Sequence, residues 1–84
     1  MTYKNFEDLL DARLTGEEKE MLYAKYGTRN TYTYRIRRPE NSFDHGDLMM
    51  FAEILSIPAF ELYSQYGVAR KNLNTYQVKD LQAA

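Results

Sequence analysis

Four arginines, Arg29, Arg35, Arg37 and Arg38, fall within residues 29–38, interleaved with Asn30, Thr31, Tyr32 and Tyr34. These side chains suit a polyanion. A guanidinium fork pairs with phosphate or with two acceptors on guanine, a carboxamide bridges adenine, and a phenol reaches phosphate or stacks on a base. The competing reading is a solvated basic face that balances acidic neighbours. The one histidine, His45, lies beside Asp44 and Asp47. A general base would need a nucleophile, and a metal site a second imidazole or a thiolate; the chain has no cysteine. Neither an enzyme nor a metal or other cofactor is therefore expected, and helix capping explains the acids.

The elements that must carry these residues read as helices. Phe6, Leu9, Leu10 and Leu14 recur at helical spacing from about Tyr3 to Arg13. Thr15 with Glu18 three residues on is a capping box, starting a second helix at Gly16 or Glu17 that runs to Tyr26, with Met21, Leu22, Tyr23 and Tyr26 on its apolar side. Gly27 can end it in the left-handed conformation. For residues 28–38 the alternation of Thr31, Thr33 and Arg35 with Tyr32, Tyr34 and Ile36 suits a strand, whereas Tyr32 and Ile36, four apart, suit a helix. The short span between Gly27 and Pro39, with no hairpin partner elsewhere, favours the helix. After a Pro39–Glu40–Asn41 turn, Asp44 and Asp47 open a helix carrying the stripe Leu48, Phe51, Ala52, Leu55. Pro58 suits the first turn of the next helix, which buries Phe60, Leu62 and Tyr63 and ends at Gly67. Residues 68–84 read as a weakly packed or partner-dependent tail, and residues 1–67 as a single helical domain.

A chain of 84 residues has room for one small core, burying roughly 60% of its unfolded surface. No charged start followed by an apolar run marks an export signal, and Leu48–Ala52, the longest apolar stretch, is too short for a membrane span. A soluble cytoplasmic protein is expected. The net charge of −1 argues against nucleic acid as a whole-chain figure, but it is a cancellation. Residues 1–27 carry four Lys/Arg against six Asp/Glu, residues 28–41 four against one, residues 42–66 none against four, and residues 67–84 three against one. The single strongly positive block is the arginine tract.

Five short helices with a Gly-led turn between the second and third give a layout that resembles the phage-repressor (Cro-like, xenobiotic-response) helix-turn-helix family. The resemblance spans residues 19–63. Leu48, Phe51, Ala52, Leu55, Ile57 and Leu62 fall on that family's apolar positions, and a gapless register puts Lys19 where the family has a Gln at the start of its second helix. Tyr23 then takes the family's small position facing the third helix, with Ala24 available through a one-residue slip, and Thr33 takes a bulky one. Pro39 stands where the family has Gly, and Pro58 where it has a Ser cap.

The resemblance implies an all-α, lambda-repressor-like bundle of about five helices and a transcriptional regulator that reads duplex DNA through residues 29–38. Arg29, Asn30, Thr31 and Tyr34 would face base edges, and Lys19, Arg35, Arg37 and Arg38 would reach phosphates. Small size implies a homodimer, since one short helix in one groove gives little affinity, with Tyr63, Tyr66, Leu73 and Tyr76 at its surface. The alternative is a protein-interaction module that keeps the fold without binding DNA, presenting acidic helices to a basic protein partner.

Overall fold

The computed structural model describes residues 3–83. Seven α-helices occur among them: α1 (Phe6–Arg13), α2 (Gly16–Tyr26), α3 (Arg29–Ile36), α4 (Pro39–Ser42), α5 (His45–Leu55), α6 (Ala59–Tyr66) and α7 (Thr75–Ala83). The described residues contain no strand and no helix long and apolar enough to cross a membrane. The all-α expectation holds, with seven helices instead of about five. The strand alternative for residues 28–38 is excluded: Tyr32 and Ile36, one turn apart, are both buried in α3.

The two added helices have local causes. Pro39, whose ring fixes φ and whose missing N–H costs a helix start nothing, opens the single turn of α4 where a simple turn was expected. Before α7, the Asn74 side chain accepts from the Gln77 amide at 2.9 Å, and the Gln77 side chain accepts from the Asn74 amide at 3.1 Å. This reciprocal box starts a helix in the segment read as a tail.

The chain divides into two helical units, one up to Arg38 and one from Pro39 onward. In the first, α3 packs on both α2 and α1, and Phe6, Leu9, Leu10, Leu14, Leu22, Tyr32 and Ile36 are buried. Asn5 caps α1 by accepting from the Asp8 amide at 2.8 Å. Thr15 and Glu18 form the expected capping box of α2, at 3.1 and 2.8 Å. Met21, expected on the apolar side of α2, is 51% exposed, and Leu22 is the residue α2 buries fully.

In the second unit α6 packs on both α5 and α7. Phe43, Leu48, Phe51, Leu55, Leu62, Val68, Ala69 and Leu81 are buried, with the Phe43 and Phe51 rings edge to face at 5.0 Å. Asp44 and Asp47 form a capping box, and the amide of Asp47 holds the Asp44 carboxyl below the usual carboxylate range. Pro58 lies one residue before α6, and Gly67 ends that helix in the left-handed region at φ 73°. The segment after Gly67 is tightly tied. A one-turn helix leaves its carbonyls without intrahelical partners. Those of α4 accept from the Ala69 amide (Pro39, 2.9 Å), the Lys71 amide (Glu40, 3.1 Å) and the Asn72 carboxamide (Asn41, 3.0 Å). The same carboxamide donates to the Phe43 carbonyl at 2.7 Å.

Candidate nucleic-acid interface

The residues proposed from sequence to meet DNA all lie in the first unit, and the joint between α2 and α3 sets their geometry. Gly27 leaves α2 at φ 105°, a conformation that L side chains rarely adopt. Thr28 returns to extended backbone and caps α3, its hydroxyl accepting from the Thr31 amide at 3.1 Å and donating to the Thr31 hydroxyl at 3.0 Å. Two residues thus complete the joint. The Tyr23 and Tyr32 rings meet edge to face at 5.0 Å across it, whereas Ala24 is exposed. Of the two residues that could have faced α3, Tyr23 does. Thr33, with no bulk to bury, is half-buried and turns its hydroxyl back onto the Arg29 carbonyl at 2.9 Å.

Burial of Tyr32 and Ile36 sends the opposite side of α3 outward. Arg29, Asn30, Thr31, Tyr34, Arg37 and Arg38 are exposed, Tyr34 at 59%. No acid stands in the first turn of α3. Arg29 and Asn30 make no side-chain bond to any described residue, so an arginine and an asparagine adjoin at a helix start with their polar groups open to solvent. One turn on, the Arg38 guanidinium lies 4.2 Å from the centre of the Tyr34 ring, a cation–π contact that covers one face of the ring and holds the cation at the surface.

The remaining members of the expected set are placed differently. Arg35 is half-buried, its guanidinium 5.4 Å from the centre of the Tyr26 ring, which Lys25 also approaches at 5.9 Å. Arg37 Nε donates to both carboxylate oxygens of Glu7, at 3.1 and 3.2 Å, and this bond raises the arginine's pKa. Lys19 is the fourth residue of α2, not its first, and its ammonium is 3.4 Å from Asp11. Neither ion pair was foreseen. Glu7 and Arg37 are thirty residues apart, and Asp11 and Lys19 lie on successive helices, so no local spacing rule marks them.

Beneath this surface the Tyr32 side chain is 4% exposed, and its hydroxyl has no hydrogen-bond partner among the described residues. Burial first, then the nearby Tyr23, Asp11 and Glu7, push its pKa well above the usual tyrosine range. His45 begins α5, in the second unit, half-buried. No group of three or more His, Asp or Glu able to hold a metal ion occurs among the described residues.

Compared with known proteins, the chain matches no family model, and no curated protein or solved structure is significantly similar to it.

Proposed function

We propose that this chain is a small DNA-binding transcriptional regulator that reads duplex DNA with α3, in the manner of the phage-repressor helix-turn-helix family it resembles in sequence. The observation that carries the reading is the open pair Arg29 and Asn30 at an acid-free helix start. An arginine bonds two acceptors of guanine, and an asparagine bridges the N6 and N7 edge of adenine. Thr31 and Tyr34 continue the same surface, and the Tyr34-supported Arg38 guanidinium is available to a phosphate. Arg35, Arg37 and Lys19, phosphate contacts by the resemblance, are secondary in this reading, because Arg37 and Lys19 are already paired with Glu7 and Asp11. The protein acts in the cytoplasm as a homodimer with Tyr63, Tyr66, Leu73 and Tyr76 at its interface, so that two copies of α3 address two half-sites. Exposure of Tyr76, at 72%, supports that surface.

A second reading has its own support. With Lys19 paired to Asp11 and Arg37 to Glu7, two of the expected phosphate contacts already have anionic partners, which suits a protein-interaction module that does not bind DNA. Salt titration of binding to random duplex separates the two. A regulator of this kind loses affinity log-linearly with salt, with a slope of roughly 0.9 per phosphate contacted. An absence of binding at low salt would leave the interaction module standing.

A further inference from the structure

Glu7 and Asp11 are four residues apart on α1 and therefore share a face. Each holds one cation from a different helix: Glu7 takes Arg37 after the end of α3, and Asp11 takes Lys19 on α2. Helix α1 packs on α3, whose Tyr32 lies inward, while Arg29 and Asn30 lie exposed at its opening with no side-chain bond to a described residue. Arg37 and Asp11 are well exposed, at 61% and 65% of their side chains. Exposed ion pairs of this kind add little stability. Their effect falls on what the cations can meet. A phosphate approaching Arg37 or Lys19 must displace a carboxylate already in place, and that carboxylate then stands beside the phosphate as a like charge.

We propose that Glu7 and Asp11 are specificity-determining residues: they engage the two cations that would otherwise grip DNA of any sequence, leaving affinity to depend on the base contacts of Arg29 and Asn30. The inference rests on the duplex-DNA reading above. It explains why a recognition unit would carry acids at all, since its selectivity is the ratio of specific to non-specific binding and non-specific binding is set by phosphate neutralisation.

The test compares the parent chain, E7Q, D11N, the E7Q/D11N double variant and a control, E17Q/E20Q, which removes two exposed acids of α2 that pair with no cation among the described residues. Binding to a random-sequence duplex is measured across a salt series, with circular dichroism confirming helix content. Each single variant should steepen the slope of log affinity against log salt by about 0.9, and the double variant by about 1.8, with affinity for random duplex up about tenfold at low salt. The control should move the slope by less than half as much. An unchanged slope in E7Q/D11N, or an equal change in the control, overturns the proposal while a binding parent preserves the DNA reading. If neither parent nor variants bind at low salt, both fall together.

Discussion

Arg29 and Arg70 are the same residue type in opposite circumstances, and the contrast extends to the units that contain them. In the second unit the Arg70 guanidinium donates to the carbonyls of Tyr63 and Ser64 at 3.0 and 2.9 Å, near the end of α6, and approaches Glu40 at 3.7 Å, which Lys71 also approaches at 3.7 Å. There, cations close helix ends and tie segments together. In the first unit the opening of α3 exposes an arginine and an asparagine whose side chains bond to no described residue. Polar groups that a fold does not use for itself are the ones available to something else, and the opening of α3 supplies two of them.

The largest effect should come from breaking the open side of the contrast. Replacing both Arg29 and Asn30 by Ala should lower affinity for a specific duplex about a hundredfold, given roughly 1–3 kcal/mol for each paired base contact. The thermal midpoint should stay within about 1 °C, because neither side chain bonds to the fold. Equal binding by variant and parent would remove these residues from the interface. On the closed side, Asn72→Ala loses two carbonyl bonds. Urea unfolding should show a loss of about 2 kcal/mol at roughly 1 kcal/mol per bond, with no change in binding.

The smallest effect sharpens what lies beneath the open surface. Tyr32→Phe removes a buried hydroxyl that bonds to no described residue, so it should leave the protein equally stable or about 1 kcal/mol more stable at neutral pH. The sign with pH follows from linkage. Folding raises the pKa of this phenol, so the unfolded chain releases its proton first, near pH 10. The phenol's contribution is intact below that pH and lost as pH climbs beyond it. The stability advantage of Tyr32→Phe should therefore widen above pH 10; a constant difference between pH 8 and pH 11 would show that Tyr32 titrates alike in both states.

Much of this fold was legible because its punctuation is local. Thr15 with Glu18 forms the box its spacing predicts, and Asp44 with Asp47, read as a helix start, opens that helix with a box of its own. The Asn74 and Gln77 box was equally local; Asn in place of Ser or Thr, followed by a mostly polar stretch, concealed it. On α3, the four-residue spacing of Tyr32 and Ile36 implied a helix with those two residues on its apolar stripe, and both are buried. The partners of Arg37 and Lys19 were not legible, because those pairs form only after α1 has packed against its neighbours. Met21 shows the same limit: a helix of eleven residues with apolar groups on several sides does not announce which of them its neighbours will cover.

The two-residue joint at Gly27 and Thr28 restricts how this protein can diverge. Each residue of an α-helix turns its successor by about 100°. One extra residue between Tyr26 and Arg29, with no slack to absorb it, would swing Tyr32 and Ile36 off the interior and bring Thr31 and Arg35 into their places. The length of this joint is therefore fixed by the burial of Tyr32 and Ile36, while the outward residues of α3 are free to vary in type.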